Sequence, residues 1–196
     1  MISRRLQIAL LMLVVVIFGM SYYALKLKQH AERVDQVSQN ARPALPAVAG
    51  PKEPVQVYVA HDEDLTLRAT KVQAARATQP DERARAALRA LVDFYTDKQS
   101  PHPLGQGSDI NAVYLANETT AVVDLNSTFA NTHRSGIMEE ELTIVSVIQT
   151  LASNLPKLTR VKFLVDGKER DTLAGHSDLK GFYDVATIAQ IARELQ

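Results

Sequence analysis

The chain contains no cysteine, and this absence excludes several classes of site at once. Without thiols there is no disulfide framework, no thiolate metal site, no cysteine nucleophile and no lipid-bearing cysteine. The chain also has no excess of positive or negative charge, because 22 Lys and Arg residues balance 22 Asp and Glu residues. Nucleic-acid-binding proteins usually carry a basic patch and a high pI. We therefore predict no nucleic-acid partner.

Motifs for cofactors and hydrolases are missing as well. Gly105 and Gly107 lack the third glycine of a dinucleotide-binding loop, and Gly167-Lys168 lacks the upstream half of a phosphate loop. Neither Gly-x-Ser-x-Gly nor His-Glu-x-x-His occurs. We therefore predict no cofactor and assign no catalytic residue.

A long apolar run, Leu6–Leu25, is present near the N-terminus. A helix of this length spans about 30 Å, the hydrocarbon thickness of a bilayer. Tyr22 and Tyr23 lie at the far end of this run, where aromatic rings anchor at the membrane interface. We predict a single-pass signal anchor at residues 6–25. Residues 1–5 would lie in the cytoplasm, and the rest would lie outside the cytoplasmic membrane of a bacterium.

Two other interpretations of this segment remain open. A cleaved signal peptide would need a small-x-small site close behind the apolar run, and Ala47-Val48-Ala49 comes too late. Ser3-Arg4-Arg5 resembles a twin-arginine signal, but the apolar core is longer than those signals use. The sequence favours the uncleaved anchor.

Residues 26–54 are predicted to connect the anchor to a folded domain. Residues 26–37 extend the helical pattern, and residues 38–54 contain four of the eight prolines: Pro43, Pro46, Pro51 and Pro54. Proline-rich segments are extended and semi-rigid. We interpret residues 26–54 as a juxtamembrane helix and stalk, and residues 55–196 as one domain.

Three successive strand–strand–helix units are predicted within this domain. The strands occupy residues 55–59, 65–72, 110–115, 120–125, 161–165 and 170–173. The helices begin near Pro80, Ser135 and Asp184, and each carries an apolar stripe at helical spacing. We predict an α+β fold in which one mixed sheet has helices packed over a face.

Short motifs follow one another in order over about residues 55–180. They are Val57-Tyr58-Val59, Ala84–Leu88, Val122–Asp124, Glu139 or Glu140 with Thr150-Leu151, Val161–Gly167, and Gly175–Leu179. This ordered set resembles the GerMN domain. The loops at residues 61–64 and 133–136 depart from the pattern of relatives. The resemblance implies an extracytoplasmic module that works by contact, as in spore formers, where such proteins serve assembly of a trans-envelope complex. It implies no catalytic residues.

Polar residues in three regions are candidates for a site. His176 and Asp178 have the spacing of two metal ligands, or of a base and its orienting carboxylate. The other interpretation, which we favour, is that both form hydrogen bonds within a turn. His133 precedes acids that suit a helix start, and Asp124 ends a strand, where backbone hydrogen bonding explains it equally well.

We predict a non-catalytic cell-envelope interaction module. Its partner would be an envelope protein, peptidoglycan or another copy of the chain, bound through residues 128–136 and 175–178. The candidate interaction residues are His133, Arg134, Ser135, His176, Asp178 and Asp124. The alternative is a metal-assisted hydrolase of envelope polymers that uses His176, Asp178 and His133.

Overall fold

The computed structural model describes residues 51–196. Its elements are β1 (Lys52–His61), β2 (Thr66–Ala75), α1 (Pro80–Thr96), β3 (Ile110–Ala116), β4 (Thr120–Leu125), α2 (Ser127–Thr132), α3 (Ile137–Asn154), β5 (Arg160–Val165), β6 (Tyr183–Asp184) and α4 (Val185–Glu194). The predicted anchor and the stalk up to residue 50 lie outside this range. Within residues 51–196, no helix combines the length and apolarity needed to cross a membrane.

The domain has an α+β fold with a mixed sheet, as predicted, but its strands form two sheets where we expected one. β1 and β2 make an antiparallel hairpin, and the other strands form a four-stranded sheet in the order β3-β4-β5-β6. β4 and β5 are parallel, whereas the other two neighbouring pairs in that sheet are antiparallel.

Side chains of the helices explain why β1 joins no further strand. Tyr58 N–H donates to Thr150 Oγ1 at 2.9 Å, and Ala60 N–H donates to Tyr95 Oη at 2.9 Å. Ser146 Oγ donates to the Tyr58 carbonyl at 2.6 Å. These groups satisfy the β1 edge that another strand would otherwise pair with.

The predicted strand at residues 170–173 is also wrong. This segment folds back on itself, with Leu173 N–H donating to the Ser177 carbonyl and Leu179 N–H to the Asp171 carbonyl. The fourth strand of the larger sheet is instead the two-residue β6. Backbone groups used within the folded segment are not available for pairing along β5.

The faces of the helices that were predicted to be apolar are the buried faces in the structure. The apolar stripe predicted for α1 is buried, and its residues are Ala84, Ala87, Leu88, Leu91, Val92 and Tyr95. Asp184 caps α4, as predicted, by accepting the Thr187 N–H. α2 was not predicted, because six residues are too few to show a clear period; Asn126 caps it by accepting the Phe129 N–H.

Candidate functional site

The parallel pairing of β4 with β5 brings the two predicted interaction loops to one end of the sheet. Leu125 pairs with Val165, so the segments that follow both strands leave from the same edge. In sheets with parallel strands, this carboxyl edge is where binding sites are commonly built. Residues 133–137 and 174–178 meet beyond it.

Glu140 joins the two segments from beneath. Its side chain is fully buried, and Oε2 accepts the N–H groups of Ala174, His176 and Ser177 at 3.0, 3.0 and 2.9 Å. Oε1 lies 2.9 Å from Nδ1 of His176, which donates to it. A single carboxylate thus holds the loop from Ala174 to Ser177 against α3.

The same contacts determine the ionisation of Glu140. Burial alone would raise the pKa of this carboxyl, but the hydrogen bonds from Ala174, His176 and Ser177 outweigh it and lower the pKa to about 2. Hydrogen bonds to the charged form have this effect. Glu140 is therefore an anion at neutral pH, with its acceptor sites directed at the loop and not at solvent.

The two segments leave an exposed surface above Glu140, which we call the junction surface: Arg134, Ser135, Ile137, Gly175 and His176. Ile137 is 66% exposed although it is apolar, and the side chain of Arg134 is 56% exposed. Ser135 Oγ lies 3.5 Å from Nδ1 of His176, so it joins the two segments across this surface.

Gly175 shapes the junction surface through its backbone. Its φ of +128° is a conformation that residues with a side chain rarely adopt, and a Cβ there would lie 3.4 Å from Ser135 Oγ. This turn directs the amides on either side of it toward Glu140.

His133 is not part of the junction surface. Its side chain is buried, with Nδ1 donating to the Arg134 carbonyl at 2.7 Å and Nε2 2.7 Å from Thr143 Oγ1. Nε2 of His102 reaches the same hydroxyl at 2.6 Å. Burial lowers the pKa of both histidines.

Asp62 completes a chain of polar groups that has the composition of a nucleophile, a base and an orienting carboxylate. Nδ1 of His102 donates to Asp62 at 2.5 Å, and Thr143 occupies the nucleophile position. Thr143 is only 1% exposed, however, in the middle of the core. A substrate cannot reach it, so these groups form a core network. Asp62 also accepts a hydrogen bond from Arg134.

Asp178 and Asp124 both accept hydrogen bonds from backbone N–H groups, as the structural interpretation of each predicts. Asp178 Oδ1 accepts the Lys180 N–H at 2.8 Å, as expected for a turn. Asp124 is buried at the end of β4 and accepts the Gly167 N–H at 2.7 Å, and burial raises its pKa. Asp124 therefore anchors the turn after β5.

The residues of the hydrolase hypothesis are not brought together. Among residues 51–196, no three His, Asp or Glu side chains are close enough to hold one metal ion. His133 uses both ring nitrogens inside the core, whereas Asp178 is exposed in a turn.

Glu140 is the residue of this site that the sequence analysis missed, since we regarded it only as an acid at the start of a helix. A signal was present: Glu140 shares a helix face with Ile144, Val147, Ile148 and Leu151, all of them buried. A charged residue within an apolar stripe must find partners in the core.

Comparisons with known proteins agree with this architecture. The model of the Germane family, described as sporulation and spore germination, matches residues 56–171. The first GerMN domain of the sporulation protein GerM from Bacillus subtilis is similar in structure, with a TM-score of 0.50 and 18% identity over 66% of this chain and 94% of that one.

The tandem GerMN domains of the same Bacillus subtilis protein also match, with a TM-score of 0.50 and 19% identity over 67% of this chain. The match covers 45% of the tandem structure. No curated protein matches the chain. Because the family match extends over more than half of the sequence, the chain belongs to the Germane family of sporulation and spore germination, whose fold is the GerMN domain.

Proposed function

We propose that this chain is a non-catalytic binding module of the bacterial cell envelope and that the junction surface is its contact site. The membrane-anchored placement, with the domain outside the cytoplasmic membrane, is part of this proposal. It rests on the apolar run at residues 6–25 and on the family to which the chain belongs.

The observation that carries the proposal is the use of a buried carboxylate to hold a surface loop. Glu140 commits its oxygens to the backbone and ring of the loop at residues 174–177, so it is not available for chemistry on a substrate. The result is a pre-ordered surface with an exposed apolar side chain, Ile137, beside polar groups. Pre-ordering lowers the entropic cost of binding.

The chemical character of the junction surface favours a protein partner. An exposed isoleucine next to an arginine and a histidine offers apolar contact together with hydrogen-bond donors, which is typical of protein interfaces. Peptidoglycan and a second copy of the chain are the other candidate partners, and photo-crosslinking distinguishes them.

Photo-crosslinking in intact cells tests the contact site. We expect adducts from a photoreactive residue at Ser135 or His176 of the full chain, and none from a matched position at Gln190 on the exposed side of α4. Mass spectrometry of the adduct identifies an envelope protein, glycan or a second copy. Adducts from Gln190 alone would show that the surface is elsewhere, and turnover of an envelope polymer by the purified chain would overturn the non-catalytic assignment.

Protease treatment of spheroplasts tests the placement. We expect protease to remove the domain and leave a membrane-bound stub. Complete protection of the chain would overturn the topology, and a soluble released product would show cleavage of the N-terminal segment.

A further inference from the structure

The β1–β2 hairpin has one edge closed by side chains and one edge open. We propose that the open edge of β2 is a second binding site, separate from the junction surface, for an extended peptide. The side chains of this peptide would alternate between apolar residues on one face of the strand and acidic residues on the other.

The register of the hairpin shows which backbone groups face outward. Arg76 N–H donates to the Pro51 carbonyl, so residues 51 and 76 form a hydrogen-bonded pair. Hydrogen bonding alternates along an antiparallel ladder, which places the N–H and C=O groups of Thr70 and Val72 toward β1. Those of Ala69, Lys71 and Gln73 point away from β1.

One further contact confirms this alternation and delimits the open edge. The Leu67 N–H, which also points away from β1, donates to the Leu195 carbonyl at 2.8 Å. The C-terminal end of α4 therefore covers the edge of β2 at Leu67. Within residues 51–196, the outward backbone groups of Ala69, Lys71 and Gln73 have no hydrogen-bond partner. An added strand would pair with these groups.

The outer edge of β1 provides the contrast within the same hairpin. Its outward groups at Gln56, Tyr58 and Ala60 are bonded by side chains of α1 and α3. Proteins usually cover, bend or interrupt an exposed edge strand. β2 has no proline and pairs with β1 over ten residues without a bulge. Lys71 is the one common protective feature at the centre of this edge.

A groove beside the open edge would receive one face of the added strand. Val72 and Gln73 of β2 line it with Ala90, Asp93 and Phe94 of α1, and its volume is about 440 Å³. Phe94 is 38% exposed, so the groove offers apolar surface. Side chains directed toward α1 should therefore be apolar.

The charge of β2 predicts which side chains the bound peptide would carry on its opposite face. Residues 65–76 include Arg68, Lys71 and Arg76 and no acidic residue. Arg68 is paired with Asp64, whereas Lys71 has no ionic partner among residues 51–196. Because side chains alternate along a strand, Lys71 lies on the face opposite Val72, where an acidic side chain of the bound peptide would pair with it.

Charge also argues against two other occupants of the open edge of β2. A second copy paired through the same edge would place basic strands side by side, and like charges directly opposite each other are destabilising. The preceding residues 38–50 of this chain contain no acidic residue and include Pro43 and Pro46. An acidic and apolar extended segment of another protein fits better.

Hydrogen exchange of the full chain in detergent micelles tests the proposal with a defined probe. The probe is a capped seven-residue peptide of alternating valine and glutamate, and its control has lysine in place of glutamate. At saturation with the glutamate peptide, we expect exchange of the Ala69, Lys71 and Gln73 amides to slow by about tenfold. The Thr70 and Val72 amides, already bonded to β1, should change little. The lysine peptide should give no such alternating protection.

Two variants separate backbone pairing from charge. Lys71→Pro removes both the central outward N–H and the Lys71 charge without touching the β1 ladder, so it should bind the glutamate peptide about fivefold more weakly than Lys71→Gln does, the effect of one backbone hydrogen bond. Lys71→Gln retains the N–H and should reduce the preference for glutamate over lysine. An unchanged melting temperature shows that each variant is folded. Absence of protection, equal binding of both peptides, or protection that rises with protein concentration without peptide would overturn the proposal.

Discussion

Glu140 and His176 are joined through both the backbone and the side chain of the histidine. The carboxylate accepts the His176 N–H at 3.0 Å on one oxygen and ring Nδ1 at 2.9 Å on the other, although the residues are 36 positions apart. This double contact closes the turn that carries the exposed imidazole. The order of the junction surface therefore depends on a residue that is itself inaccessible.

Replacing Glu140 by glutamine should destabilise the domain. The substitution keeps the size of the side chain but removes the charge that three amides and a ring N–H share. We expect the free energy of unfolding to fall by about 2 to 3 kcal/mol in urea denaturation at pH 7. Glu141→Gln, at a partly exposed neighbouring position, is the control and should change it by less than about 0.5 kcal/mol. Equal effects of the two substitutions would contradict this role of Glu140.

The pH dependence of stability should carry the signature of Glu140. Its pKa of about 2 in the folded state lies below the ordinary value of 4.5, so its stabilising contribution is complete above pH 4.5 and is lost as the pH falls toward 2. The full contribution corresponds to about 3 kcal/mol. The stability difference between the wild type and Glu140→Gln, measured from pH 6 to pH 3, should therefore shrink with acidification. A constant difference would show that Glu140 does not titrate in this way.

Gly175 should be intolerant of a side chain, whereas a nearby glycine should not be. Gly175→Ala forces alanine into a φ of +128°, and we expect a loss of about 1 to 3 kcal/mol together with faster exchange of the His176 and Ser177 amides. Gly181→Ala is the matched control, because nothing lies within 4 Å of a Cβ there. A tolerated Gly175→Ala would mean that the loop can adopt another conformation.

The Thr143 hydroxyl should matter more than the volume of its side chain. Thr143→Val leaves Nε2 of both His102 and His133 buried without a hydroxyl partner, and we expect a loss of about 2 kcal/mol. Thr143→Ser retains the hydroxyl and should recover most of this loss in thermal denaturation. If serine proves no better than valine, packing of the methyl group is the dominant contribution of this residue.

Local patterns in the sequence were sufficient for the elements that depend on local physics. The stripe of α1 follows a period of 3.6 residues, and the Asp184 cap involves an amide three residues away. The β3–β4 hairpin likewise closes over a short turn, at Asn117 and Glu118, both of which have a positive φ. Such features require no knowledge of distant residues.

The errors occurred where a distant partner decides the conformation. Residues 170–173 follow the Asp166-Gly167 turn, as the second strand of a hairpin would, but the Glu140 carboxylate accepts hydrogen bonds from the amides that come after them. The β1 edge is closed by Thr150, which is 92 residues from Tyr58 in the sequence. His133 has polar neighbours along the chain, yet it is buried against Thr143. None of these pairings has a local signal that identifies the partner.

The hydrogen bonds around Thr143 restrict how the two buried histidines can be protonated. Nδ1 of His102 faces a carboxylate and Nδ1 of His133 faces a carbonyl, so each of these nitrogens must carry a hydrogen. Both Nε2 atoms then face a single hydroxyl, which has only one hydrogen to donate and which also lies 3.0 Å from the Glu139 carbonyl. When both rings are neutral, at least one of the two histidine contacts has no proton.

A proton taken up by one ring would supply the hydrogen for the contact of that ring with the hydroxyl, whereas a second would place two cationic rings, whose centres are 5.9 Å apart, on either side of one oxygen. The two histidines therefore cannot titrate independently, and their protonation belongs to the pair.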